Sequence, residues 1–491
     1  MQVLAIVVSL AITAVAVALV TTAVMRMLGV IHIGQPAVGR KDNPGARWRN
    51  MLKETLGHTR MVQWHWIGIM HWFVFAGFIL LSSLVATAYG QIFDAEFALP
   101  IIGHWFLYEW VADILSWLTL IGIVFLILVR QKNHPRSGGR SSRFFGSTFW
   151  QAYFVEAIIL GVVVCGLLLR GLEYALGEGG KADFPATFFI GAPFDGLSDT
   201  ALENTIYLIA MIKLVISMTW AIVIARNITM GVAWHRFTAW FNIWFKRESD
   251  GGTALGALRP IMVGGEPLDF ENIDELDEDA ALGVGKVEDF SWKGILDFTT
   301  CTECGRCQSQ CPAWNTDKPL SPKLLVMGLR DHAYAKAPYS QTPEDEREGL
   351  PETLTKEAER PLIGDAEVYG VIDPDVLWSC TSCGACVQQC PVDIEHVDHI
   401  VDMRRYQVLV ESNFPTELNQ LFKGLENKGN PWNMSPNARM DWAKDLDFEV
   451  KQVGTDVEDL AEVEWLFWVG CAGAYEDRAK KTTRAVAELL D

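Results

Sequence analysis

The first half of the chain consists of long apolar runs separated by polar loops, and the second half does not. Five runs, at about residues 3–24, 62–89, 105–129, 152–169 and 205–225, are each long enough to cross a bilayer core of about 30 Å, which takes about 20 helical residues. The first lacks a basic leader and a small-residue cleavage site and outruns a signal peptide, so it is expected to stay as a span. Beyond residue 225 the pattern changes. Residues 323–336 and 351–360 have helical spacing, and no alternating strand pattern intervenes. Near the end, Trp465-Leu-Phe-Trp-Val-Gly-Cys471 reads as a buried strand, a tight turn and a helix opening an α/β unit. One such unit cannot bury its own faces, so the chain is expected to be cut there or completed by a second polypeptide.

Charge divides the chain at the same place. The 491 residues are 50% hydrophobic and carry 41 Lys/Arg against 60 Asp/Glu, a net charge of −19. Residues 1–247 hold 19 basic and 13 acidic side chains, whereas residues 248–491 hold 22 and 47. With no basic stripe in an acidic chain, nucleic acid is not an expected partner. Of the loop residues in the first half, 16 Lys/Arg fall on one side of the spans and only Arg170 and Lys181 on the other. Under the positive-inside rule the N-terminus is outside and the acidic half is cytoplasmic, at the cell membrane.

Eight of the ten cysteines form two groups of identical spacing, Cys301-x2-Cys304-x2-Cys307-x3-Cys311-Pro and Cys380-x2-Cys383-x2-Cys386-x3-Cys390-Pro. This is the run by which thiolates hold 4Fe–4S cubes, with the fourth Cys serving the other cube. The expected ligand sets are Cys301, Cys304, Cys307 and Cys390 for one cluster, and Cys380, Cys383, Cys386 and Cys311 for the second. Disulfides do not suit a reducing cytoplasm, and structural zinc does not require two duplicated quartets. The helical spacing between the groups predicts an α-helical ferredoxin module. The acidic, Gly-flanked segment 269–279 ahead of it reads as a solvated tether or a docking strip.

Histidines cluster at the basic ends of spans two and five. Imidazoles from two facing helices can clamp haem iron. His58 and His65 are seven residues apart and share a helical face, with His71 about 120° away. His65 with His235 is the preferred axial pair, with His58 and His71 in reserve. The alternative is interfacial histidines bonded to headgroups or loops. Glu109, Asp113 and Lys213 lie within spans, where ionisable groups mark a proton and quinone site, a structural Lys–carboxylate pair between helices, or side chains snorkelling towards headgroups.

These residues resemble the membrane-bound heterodisulfide-reductase-like iron–sulfur proteins, and most closely the actinobacterial membrane dehydrogenases of electron-transfer flavoprotein. A unit similar to the gamma subunit of membrane nitrate reductase precedes the twin-cluster module, and Cys471 opens what looks like a cysteine-rich CCG-type domain. The resemblance implies an all-α architecture with a haem-binding five-helix bundle at 1–247, an acidic linker at 248–290 and a ferredoxin domain at 291–415. The CCG-type start, at 416–491, could hold a further cluster at Cys471. It further implies an oxidoreductase that passes electrons from electron-transfer flavoprotein, loaded in fatty-acid β-oxidation, to menaquinone through two 4Fe–4S clusters and haem b. Span five offers only His235, because Ser217 and Met218 stand where a second histidine would lie, so one haem is expected. Two other readings stay open: a thiol–disulfide enzyme, and a non-enzymatic iron–sulfur redox or assembly subunit.

Overall fold

The computed structural model describes residues 1–263, 265–277 and 280–491. It divides into two compact units, Met1–Val410 and Glu411–Asp491. Helices dominate, and among the described residues the sole sheet is a hairpin pairing Met262–Val263 with Glu266–Pro267. Residues 269–277 of the acidic segment hold a short 3-10 turn, Ile273–Glu275; Glu278 and Asp279 lie outside the described residues.

Five helical segments of unit one are long and apolar enough to cross a membrane: Gln2–Ile31, Met61–Gln91, Phe106–Ser141, Phe149–Leu176 and Asp199–Arg226. Most of their surface is apolar and open, as expected where lipid and not protein is the neighbour. Span two is not one rod. Its main helix, His65–Leu80, gives way at Leu81 to a second, Ser82–Gln91. Spans two and three touch through small residues: a Cβ on Gly77 would meet Thr119 Oγ1 at 2.1 Å, and one on Gly122 would meet the Met70 carbonyl at 2.7 Å. Packing of this kind brings backbones together in lipid, where apolar burial drives no association.

The sequence suggested that span five continues to His235. The chain instead breaks at Asn227–Met230, and a separate helix, Gly231–Trp244, carries that histidine. That helix packs against residues 292–300 of the following module, where residues 292–300, 322–340 and 396–409 build the core around Phe298, Val326 and Met403.

Unit two packs Trp442, Ala474, Tyr475 and Ala487 into a small core. Its segment 463–469 forms no strand, contrary to the sequence pattern, and Trp465 and Trp468 are 61% and 88% exposed. A strand needs a hydrogen-bonding neighbour, and among the described residues of this unit none is offered.

Candidate functional site

Both cysteine groups fold into the same local shape. Glu303 and Gly305 in the first, and Ser382 and Gly384 in the second, take positive φ values of 55°, 71°, 52° and 74°. These left-handed positions bend each run back on itself at the same two places, between its first and third cysteines. A Cβ on Gly305 would lie 1.8 Å from the Arg143 carbonyl, so only glycine lets this loop sit against the segment between spans three and four.

The fourth cysteine of each group crosses over. Cys311 lines one small cavity with Cys380, Cys383 and Cys386, while Cys390 lies within electrostatic reach of Cys304 and Cys307, and Cys301 beside them. Backbone amides point at sulfur in the second group: Ser382 N donates to Cys380 Sγ at 3.3 Å, and Ile394 N to Cys390 Sγ at 3.4 Å. Burial pushes the Cys301 thiol up to about 12 and the Cys307 thiol well above its ordinary value. Thiols in such surroundings become thiolates only where a cation shares the site. Among the described residues no three Cys, His, Asp or Glu close on a single ion. Eight sulfurs gathered as two quartets, with amides aimed at them, suit iron–sulfur cubes.

The first nest is locked to the membrane bundle. Arg60, in the loop entering span two, donates to the carbonyls of Val387, Gln388 and Cys390, each at 2.9 Å. Arg306 donates back to the Arg60 carbonyl at 3.0 Å. Lys246 and Arg60 both pair with Asp393, at 3.2 Å each. Much of the basic excess in these loops is therefore spent on the acidic module, and all three basic loops lie on the module's side of the spans. Gly231 approaches as closely as Gly305 does: its Cβ, if it had one, would lie 1.9 Å from the Cys301 carbonyl. The histidine helix thus starts in backbone contact with the first nest.

His58, His71 and His235 converge on a cavity that encloses about 1720 Å³, its open mouth included. His58 Nδ1 donates to the Thr55 carbonyl at 2.6 Å, which makes its Nε2 an acceptor for His71 Nδ1 at 3.0 Å. His235 Nδ1 donates to the Gly231 carbonyl at 3.1 Å. These bonds fix the tautomers of His71 and His235 so that each keeps an Nε2 lone pair, the usual preparation of a metal-binding imidazole. The two rings stand 6.5 Å apart between centroids; two metal–nitrogen bonds of about 2 Å each, with about 1 Å more from each nitrogen to its ring centre, require about 6 Å. The same cavity is lined by Cys304 and, past the second group, by Pro391 and Val392.

His65 has no part in this arrangement. It is exposed and faces the Gln63 carbonyl at 3.4 Å. The helical phase that paired it with His58 does not apply, because His58 sits ahead of the helix with φ of 49°. His71, set aside on that phase, is the residue the turn brings into place. Nor do Glu109, Asp113 and Lys213 form one site. Asp113 accepts from Arg170 Nε at 2.8 Å, Thr187 Oγ1 at 2.7 Å and Ala186 N at 3.1 Å. Lys213 Nζ donates to the Leu84 carbonyl at 3.0 Å, beside the break in span two. Asp113 is thus paired with Arg170 and not with Lys213, so the described bonds bring together neither the expected proton site nor the Lys–carboxylate pair that was its alternative. In unit two, Cys471 accepts from Arg439 Nη2 at 3.3 Å and is that unit's sole cysteine. Sequence spacing passed over Gly231 and Arg236; a glycine four residues before a span-end histidine was the available signal.

Residues 300–394 match the 4Fe–4S dicluster domain. Over 483 residues, 95% of the chain, the sequence is 27% identical to the "EtfAB:quinone oxidoreductase" of Syntrophomonas wolfei, covering 63% of that protein. It is 36% identical over 288 residues to a "Probable membrane-anchored ferredoxin" of Chromohalobacter salexigens, covering 57% of this chain and 38% of that one. It is 28% identical over 508 residues to the "Probable iron-sulfur-binding oxidoreductase FadF" of Bacillus subtilis, covering 98% and 67%. The chain therefore spans about two thirds of these relatives' length or less. No solved structure matches it. The chain is an iron–sulfur protein with membrane-type helices, similar in sequence to iron–sulfur oxidoreductases of the electron-transfer-flavoprotein:quinone type.

Proposed function

We propose that the chain is a membrane-integral electron-transfer oxidoreductase that takes electrons from reduced electron-transfer flavoprotein on the cytoplasmic side and delivers them to menaquinone. Its redox groups would be two 4Fe–4S clusters, held by Cys301, Cys304, Cys307 and Cys390 and by Cys380, Cys383, Cys386 and Cys311, and one haem b held by His71 and His235. Bound there, those groups supply one-electron carriage. The chain's own work is placement. His58 orients His71, Gly231 brings the His235 helix against Cys301, and Arg60 ties the loop into span two to Cys390. The name of the Syntrophomonas wolfei relative supports an electron-transfer-flavoprotein donor and a quinone acceptor, and the 16-to-2 loop bias supports a cytoplasmic module with the N-terminus outside.

One observation carries the reading: the cavity that gathers His71 and His235 is the cavity that Cys304 lines. A histidine-held redox group and a thiolate-held one would then be neighbours. The test is to mix the purified membrane protein with reduced electron-transfer flavoprotein, anaerobically, and follow the haem absorption. Reduction of the haem supports the donor assignment; a haem that stays oxidised with this donor but is reduced by dithionite sinks it.

A further inference from the structure

We infer that Arg236 is the counter-charge for a carboxylate of the ligand held between His71 and His235, so that the cavity selects a macrocycle with free propionates. The inference rests on the haem reading above and names the edge by which the ligand is gripped. Arg236 follows His235 on the same helix and lines the same cavity. Its guanidinium lies over two rings, 4.6 Å from the centroid of Phe78 and 4.9 Å from that of Trp220. Its Nε has no hydrogen-bond partner, and the indole Nε1 of Trp220 lacks one too.

Every carboxylate lining the cavity is already taken. Glu156 pairs with Arg130 at 2.6 Å, Glu303 with Arg330 at 3.0 Å, and Glu54 with Lys246. Among the described residues Arg236 has no ion pair. Arg143 and Arg306 also reach this cavity, but both act on Cys304 and so have the thiolates of the first nest to face. Arg236 has none. Two aromatic faces offset part of the cost of a half-buried cation, yet an unpaired charge drawn partly out of water remains costly unless an anion joins it. A quinone carbonyl could accept a hydrogen bond from Arg236 but brings no charge. A propionate brings both the acceptor oxygens and the charge, and suits the planar fork of a guanidinium.

The test uses full-length protein from haem-starved cells, clusters intact, titrated optically with haem and with haem dimethyl ester. Wild type is expected to bind haem roughly tenfold or more tightly than the ester, the size of a hydrogen bond to a charged group. In Arg236→Gln that preference should collapse towards unity, and Arg236→Lys should keep part of it. Iron and acid-labile sulfide at the wild-type level certify that each variant has folded. An undiminished preference in Arg236→Gln overturns the inference, as does a wild type that binds haem and ester alike, which tests it even if the Gln variant fails to fold. A wild type that takes up neither sinks the haem reading itself, which is a separate failure.

Discussion

Arg40 and Glu395 stand 355 residues apart and meet in a bidentate pair, Nη1 to Oε1 at 2.6 Å and Nη2 to Oε2 at 2.7 Å, with side chains 2% and 7% exposed. One belongs to the loop after the first span and the other lies just past the last cluster cysteine. Around them Lys293 pairs with Asp297 at 2.6 Å, and His399 approaches the same carboxylate at 3.0 Å. The ferredoxin module is thus bolted to the membrane bundle by buried charge, which fixes its nests relative to the histidine cavity.

Breaking that bolt from one side should be costly, because it strands a buried charge. Arg40→Ala is expected to destabilise the protein by about 3–5 kcal/mol. Arg40→Leu with Glu395→Leu together should cost less than the sum of the singles. Denaturant unfolding followed by cluster absorbance checks both; strict additivity would contradict the coupling.

The same network sets an acid limit. Burial alone would push the Glu395 carboxyl up, but Lys293 and Arg40 more than offset this and hold it below the usual carboxylate range. Asp393, facing Lys246 and Arg60, is likewise held low against its burial. Carboxylates depressed in the folded state contribute stability that is complete above their unfolded values, about 4, and is lost as pH falls towards the folded ones. Unfolding free energy measured from pH 7 down to 3 should drop below about pH 4 for wild type. Glu395→Gln should start lower and fall less steeply.

Gly231→Ala should fail where an ordinary glycine change succeeds. The new methyl would lie 1.9 Å from the Cys301 carbonyl, whereas Gly45 has nothing within 4 Å. Overpacking of this kind costs about 1–3 kcal/mol or more. Sulfide and haem content should both fall in Gly231→Ala and remain unchanged in Gly45→Ala.

The histidines should sort by role. His71→Ala and His235→Ala are expected to abolish haem absorbance, and His58→Ala to weaken haem binding about 10–100-fold through loss of the orienting bond. His65→Ala should leave the spectrum as it is. Loss of haem in the His65 variant alone would restore the pairing that spacing suggested.

Crossed ligation makes a paired prediction. Cys390→Ala should remove the electron paramagnetic resonance signal that Cys304→Ala removes, and Cys311→Ala the one that Cys383→Ala removes. Matching by position in the chain instead would disprove the crossing.

Five apolar runs, one acidic half and two cysteine groups were all legible along the chain, because each depends on residue type and short-range spacing. The Cys-x2-Cys-x2-Cys turns are local, and burying about 20 apolar residues in lipid needs no partner. The strand at 465–469 was misread because a strand takes its identity from neighbours that no local pattern contains.

What the sequence determined by itself was therefore the inventory: membrane helices, thiolate quartets and a set of span-end histidines. Which histidines face one another was decided only in three dimensions. His58 leaves the helix through a left-handed turn, and the chain breaks between residue 226 and Gly231, so helical phase could not carry a ring from one side of either break to the other. The Gly231 contact with Cys301, and an Arg236 without an ion pair among the described residues, were likewise products of packing, since they depend on which backbone arrives alongside and which carboxylates are already spoken for.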